Sequence, residues 1–189
     1  MIYSHRRLSE NESLLDLAEK FREKLEPIKL VLLDVDGILT TGHIYYAGEE
    51  VGFNRYFHVS DGYILRVLMK HGLQVGIVSA GHSLGVIKRI EDLKIPLQFL
   101  GSEDKREAFT EALRRTNLKA HEVLYMGDEF FDMPLLKKAG FSATTPHASY
   151  EVQEVADYVT FRGAGQGAVR EVIDMLRYVQ KIVPLVEDF

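Results

Sequence analysis

Asp34 and Asp36 stand two residues apart at the end of an apolar run, Leu30 to Leu33, with Gly37 directly behind them. Three other apolar runs also end in polar residues. Val75 to Val78 leads into Ser79, Ala80 and Gly81, and Leu97 to Leu100 leads towards a helix that opens at Lys105. Val123 to Met126 leads into Gly127, Asp128, Glu129 and Asp132. Carboxylates, a hydroxyl and an ammonium group at successive strand ends suit the transfer of a phosphoryl group to a carboxylate. Phosphorus needs an in-line nucleophile, and charge on its equatorial oxygens must be neutralised. A carboxylate can be that nucleophile if a cation holds it and screens its repulsion from the phosphate. Magnesium prefers hard oxygen ligands and commonly takes one or two carboxylates together with phosphate and water.

On this reading Asp34 is the nucleophile and a metal ligand, Asp128 is the second metal carboxylate, and the backbone carbonyl of Asp36 adds a ligand. The Asp36 side chain would protonate the leaving oxygen and then activate water. Ser79 and Lys105 would hold the phosphoryl oxygens, helped by backbone N–H groups near Asp36, Gly37 and Ala80. Glu129 and Asp132 would stand behind the metal and orient its ligands or waters. Each residue alone has a plainer reading. An aspartate at a strand end is usually a cap or turn residue, Asp132 would serve as the N-cap of the next helix, and Ser79 and Lys105 would be solvated. Their coincidence in order at four strand ends argues for the chemistry.

These residues need a frame that brings strand ends together. Further strand candidates are Phe141 to Thr144 and Tyr158 to Phe161. Helical patterns separate the runs: Tyr63 to His71, Ser83 to Leu93, Lys105 to Thr116, Met133 to Ala139 and Ala168 to Val179. Such alternation implies an α/β fold, a parallel sheet with helices on both faces. Ligands in such sheets bind at the C-terminal ends of the strands. One stretch breaks the rhythm. Residues 43–59 read as a β-hairpin inserted after the first strand, with Gly48 in its turn and Phe53, Phe57 and Val59 on one face. An isolated hairpin is barely stable in water, so this one should pack on its own domain or on another chain through Tyr45, Tyr46, Phe53, Tyr56 and Phe57. An amphipathic helix is expected from Ser9 to Leu25, ended by Pro27. The expected organisation is a helical extension over 1–27, one catalytic domain over 28–180, and a tail over 181–189. The tail would dock on its own helix or reach a neighbour's site.

At 189 residues and 46% hydrophobic, the chain suits one substantial core. The net charge of −5 argues against a nucleic-acid footprint. With no cysteine there is no disulfide, zinc-thiolate site or thiol catalysis. No apolar run approaches the roughly 20 residues of a membrane span, so a soluble cytoplasmic protein is expected.

Asp34 to Thr40, Ser79, Lys105 and Gly127 to Asp132 resemble, in order, the four motifs of the haloacid dehalogenase superfamily. The resemblance extends to its small capless branch containing octulosonate phosphatases, and covers most of the chain from about Ile28 to Val179. It includes the hairpin, Val59 to Gly62 before a helix, and Gly163 to Glu171. It implies a Rossmann-like three-layer fold, magnesium, and a homotetramer built around the hairpins, in which a neighbouring subunit closes the site in place of a cap. The implied substrate is a phosphorylated sugar or sugar acid such as 3-deoxy-D-manno-octulosonate 8-phosphate, on the route to lipopolysaccharide and related surface polysaccharides. The chain departs from that pattern at Thr41 and Glu129, where the family has an acidic residue and Asp. It also carries Ser60, Gly81 and Gln166 where the family tends to have arginine. Arginine grips a carboxylate through two hydrogen bonds, so these changes imply a different preferred substrate unless Arg55, His58, Lys70 or His82 compensates.

A phospho-receiver domain would place its acceptor Asp after the third strand, where this chain has Leu100, Gly101 and Ser102. A phosphomutase would need a cap, for which the hairpin leaves no room. A catalytically weak relative serving as a binding or scaffolding domain in polysaccharide synthesis is the alternative. The intact pair Asp34 and Asp36 counts against it.

Overall fold

Leu30, Val31, Leu32 and Leu33 have no accessible surface at all, and they form the strand β1 (Leu30–Leu33) at the middle of the molecule. Burial on both faces is what a continuous apolar run demands, and each such side chain contributes roughly 1.5–3 kcal/mol. The structure is a computed structural model and describes residues 13–184. Around β1 lie β4 (Gln74–Ser79) and β5 (Leu97–Leu100) on one side. On the other lie β6 (Val123–Met126), β7 (Phe141–Thr144) and β8 (Tyr158–Val159). The order is β5-β4-β1-β6-β7-β8, and every pairing in this sheet is parallel. The α/β sheet read from the sequence is therefore present.

The chain walks outward from β1 to β5, then returns to the other side of β1 for β6. That reversal opens a crevice between the C-terminal ends of β1 and β6, where an open parallel sheet binds its ligand. Asp34 follows β1 and Asp128 follows β6, so the topology alone sets them side by side. Helices α3 (Val59–Lys70), α4 (Leu84–Leu93), α5 (Lys105–Thr116), α6 (Met133–Lys138), α7 (Tyr150–Val155) and α8 (Ala168–Val179) complete the layers. Two buried clusters result. One includes Leu33, Ile64, Leu68, Ile77 and Val172, the other Leu32, Phe109, Tyr125 and Leu136.

The hairpin consists of β2 (Thr40–Tyr46) and β3 (Phe53–Phe57), an antiparallel pair with Gly48 at φ +95° in its turn. Its register slips between Thr40 and Ile44, where Gly42 takes φ +76°. Phe57 packs on the core at the hairpin's base. Farther out, Tyr45 stacks on Tyr56 and Tyr46 meets Phe53 edge-on, and all four rings remain exposed. These four rings stay uncovered among the described residues, while Asn54 and Arg55 on the inner face of β3 pack on the domain beside Gly85 and Ser83.

Several boundaries differ from the sequence reading. The expected helix Ser9 to Leu25 is two pieces among the described residues, α1 (Leu14–Lys20) and α2 (Arg22–Leu25), and residues 9–12 lie outside them. Ser13 caps α1 in a reciprocal pair with Asp16. The break falls at Phe21, whose ring meets Phe141 and Tyr158 edge-on at 5.2 and 5.9 Å. Tertiary packing there overrides the helical pattern. Val59 opens α3 rather than extending the hairpin, and at 78% exposure it faces away from the core. The carboxylate of Asp61 accepts the Arg170 N–H, tying this end of α3 to the first turn of α8. Helix α7 is absent from the sequence reading; Ser149 caps it by accepting the Val152 N–H. Ile182 is buried at the end of the domain, while the tail beyond residue 184 lies outside the described residues. Among the described residues no helix is long and apolar enough to cross a membrane.

Candidate active site

After β1 the backbone makes one wide turn over Val35 to Leu39, within which Gly37 adopts φ +79°. A Cβ on Gly37 would lie 1.8 Å from Asp128 Oδ2, so only glycine lets the two loops close. Asp34 sits at the head of this turn, 3% exposed, its Oδ1 accepting the Val35 N–H at 2.7 Å. Its Oδ2 lies 3.0 Å from Lys105 Nζ. Lys105 is 1% exposed at the first turn of α5, with its ammonium 4.5 Å from the centre of the Phe131 ring.

Asp132 explains how a lysine survives such burial. Its Oδ1 accepts from Lys105 Nζ at 2.7 Å and from the Tyr125 hydroxyl. Its Oδ2 accepts the backbone N–H groups of Asp128 and Glu129 at 3.1 and 3.0 Å. All of its acceptor positions are therefore engaged. The carboxylate fixes the loop that carries Asp128, although Asp34, Asp128 and Asp132 offer oxygens within 4.8 Å of one another. Asp132 stands at the head of α6 but makes no side-chain cap to it. Glu129 lies on the rim of the crevice, exposed, and its carboxylate turns back onto the Phe130 N–H.

Burial, with the charges of Asp34 and Asp132 adding to it, pushes the Asp128 carboxyl up to about 8. Burial likewise pushes Asp34 up to about 7; Lys105 opposes the rise and the charge of Asp132 adds to it. Asp128 Oδ1 is buried with no hydrogen-bond partner among the described residues. An unpaired buried carboxylate oxygen facing a second carboxylate calls for a cation, and hard oxygens suit magnesium. The residues present therefore fit that metal, and Asp34 and Asp128 would hold it.

Ser79, 2% exposed at the end of β4, accepts the Gly81 N–H on its hydroxyl oxygen at 3.2 Å. With Ala80, Gly81, Asp34, Asp36, Gly37 and Phe131 it lines a crevice of about 210 Å³. A wider cleft of about 370 Å³ adjoins it across Gly37, Gly42 and Asp128, and is lined also by Thr41, His43, Thr145, His147 and Gln166. All the site residues read from the sequence thus converge, with Glu129 at the rim.

The four possible compensating cations separate. Lys70 stands with Tyr63 and His71 on the outer face of α3, and His58 Nδ1 lies 4.0 Å from Asp61. His82 Nδ1 lies beside Gly101 and outside both clefts. Only Arg55 enters, through Asp36. Tyr125 and Phe131 escaped the sequence reading. Tyr125 reads as an ordinary strand residue, and nothing local tells that its hydroxyl meets a buried carboxylate.

Residues 99–173 match the family model of haloacid dehalogenase-like hydrolases. The 3-deoxy-D-manno-octulosonate 8-phosphate phosphatase of Haemophilus influenzae is 36% identical over 161 residues, spanning 84% of this chain and 88% of that protein. The Escherichia coli K12 enzyme of the same name is 36% identical over 159 residues, spanning 83% of each. The solved Moraxella catarrhalis phosphatase, bound to magnesium, phosphate and the KDO molecule, superposes with a TM-score of 0.82. The identity there is 31%, over 86% of this chain and 93% of that one.

Proposed function

The chain belongs to the haloacid dehalogenase-like hydrolases, in the branch that holds the 3-deoxy-D-manno-octulosonate 8-phosphate phosphatases, and from that premise we propose that it hydrolyses a sugar or sugar-acid phosphate through a phosphoryl group carried on Asp34. The observation that carries this reading is the pair Asp34 and Asp128, closed together by Gly37, with Lys105 on the first carboxylate and an unpartnered oxygen on the second.

Bound magnesium would neutralise the phosphate and keep both carboxylates ionised. An Asp34 oxygen attacks phosphorus, the bond to the leaving oxygen breaks, and its electron pair stays with that oxygen, which takes a proton from Asp36. Water then attacks the phosphoaspartate and gives a proton to Asp36. The P–O bond breaks with its electrons returning to the Asp34 carboxylate. Lys105 and Ser79 hold phosphoryl oxygens, assisted by backbone N–H groups near Gly37 and Ala80. Asp132 acts one layer back by fixing Lys105 and the Asp128 loop, and Glu129 serves at the rim.

Two imidazoles, two hydroxyls and an amide line the wider cleft, a donor and acceptor set suited to a polyol, without lysine or arginine among its nine lining residues. The test is phosphate release from a panel of sugar phosphates and sugar-acid phosphates, with magnesium and with a chelator. Magnesium-dependent release is expected, and 3-deoxy-D-manno-octulosonate 8-phosphate in the panel shows whether Ser60, Gly81 and Gln166 change specificity. Clear preference for that compound would overturn the argument from the missing cations. Silence across the panel, with bound magnesium confirmed, would favour the binding or scaffolding role.

We place a homotetramer at the hairpins. Ile44, Tyr46, Phe53 and Tyr56 are each more than half exposed on one small element, and such area is normally covered. Sedimentation should give four chains, and Phe53→Glu should dissociate them. A monomeric wild type at micromolar concentration would refute the assembly.

A further inference from the structure

Arg55 points inward from β3: its side chain is 8% exposed, whereas the following Tyr56 is 64% exposed. Its guanidinium reaches back 19 residues to Asp36. Nε donates to Asp36 Oδ1 at 2.5 Å, Nη2 donates to Oδ2 at 2.9 Å, and Nη1 donates to Ser83 Oγ. Two parallel N–H···O bonds from a planar fork set the plane of the carboxylate as well as its position. Thr40 Oγ1, fully buried, stands 3.3 Å from Asp36 Oδ1 and 3.3 Å from the Val35 carbonyl.

The two oxygens of Asp36 therefore differ. A carboxylate oxygen has two acceptor positions. At Oδ1 Arg55 Nε covers one, and the Thr40 hydroxyl, whose single proton is shared with the Val35 carbonyl, stands at the other. At Oδ2 Arg55 Nη2 covers one and leaves the other open. Beside Oδ2 is the space left by Gly81: a Cβ there would lie 3.5 Å from Oδ2, 3.7 Å from Ser79 Oγ and 3.8 Å from Arg55 Nη2.

We propose that Arg55 is a positioning residue for the hydrolysis, fixing the Asp36 carboxyl group so that Oδ2 is the atom that passes the proton. This rests on the reading of Asp36 as the acid and base. Arg55 acts through Asp36 and does not contact the phosphoryl group. The hairpin thereby supplies part of the catalytic frame in addition to any surface it offers a partner.

The test compares kcat/KM, which reports steps up to departure of the leaving group, for an alkyl phosphate and for p-nitrophenyl phosphate. An alkoxide needs a proton to leave, whereas nitrophenolate does not. Arg55→Met should lower kcat/KM about 30-fold on the alkyl ester and less than about threefold on the aryl ester, a part of what general acid catalysis is worth. In an Asp36→Asn background the same change should cost less than about twofold. Arg55→Lys, a single-point donor with the same charge, should show the same selectivity with a smaller loss, and it decides the matter if Arg55→Met does not fold. Equal losses on both esters, or an undiminished loss in the Asp36→Asn background, would overturn the positioning role. If Asp36→Asn is alkyl-selective and Arg55→Met is not, Arg55 alone falls. If Asp36→Asn shows no selectivity, the assignment of Asp36 falls and takes this proposal with it.

Discussion

Replacing Asp34 by Asn is expected to lower turnover by on the order of 10⁴-fold or more, because the amide cannot accept and return the phosphoryl group. The fold should survive. Asp34 is a buried carboxyl group whose ionisation is opposed by desolvation and by Asp132. Removing that charge costs Lys105 one partner but leaves it the closer one, Asp132, at 2.7 Å. Stability should therefore change by no more than about 1 kcal/mol in either direction. Two measurements decide it. Thermal melts of both proteins establish the fold, and acid-quenched turnover followed by mass spectrometry should find a phosphoryl group on the Asp34 peptide of the wild type alone. Near wild-type activity in the variant would mean that another group attacks phosphorus.

The second large effect is at Asp128, where function and stability pull in opposite directions. In the metal-free chain its carboxyl titrates at about 8 and that of Asp34 at about 7, both far above the ordinary 3.8. Raised folded-state values mean that the folded chain binds more protons than the unfolded one between about pH 4 and pH 8. The metal-free fold therefore loses stability from these two groups as pH rises through that window, and the loss is complete above it. Asp128→Asn removes one of them. Metal-free Asp128→Asn should melt roughly 3–6 °C above metal-free wild type at pH 8.5, as about 1.5 kcal/mol gives at this size, and the gap should close as pH falls to 4. Magnesium should reverse the order at pH 8.5, because it stabilises only a chain that binds it. The same variant should lose about 100-fold or more in activity. A pH-independent gap between the two metal-free proteins would show that Asp128 is not held under this strain.

At two places where the structure departs from the sequence pattern, distant residues meet. The pattern from Ser9 to Leu25 satisfies a helix, yet the chain breaks at Phe21 because the ring is taken up by Phe141 and Tyr158, more than a hundred residues on. Val59 fits a strand by alternation, but it opens α3, whose first turn is tied to α8 where Asp61 accepts from Arg170. Nor does the sequence reveal that Asp132 engages Lys105, Tyr125 and two loop amides.

What the sequence by itself determined is the sheet and the residues at its working edge. Apolar runs must be buried, parallel strands all end on one side, and a polar residue that follows such a run is carried there with it. Asp34, Ser79, Lys105 and Asp128 are legible for that reason, since each position follows from its neighbours in the chain. Only the tertiary structure decided which cation meets Asp36, and how strongly Asp34 and Asp128 resist ionisation. Arg55, His58, Lys70 and His82 are all basic side chains along a chain, and the fold of the hairpin brings one of them to the carboxylate. The resistance to ionisation comes from burial and from carboxylates crowded together across a crevice. Both are properties of distances between separate strands, and no local pattern encodes them.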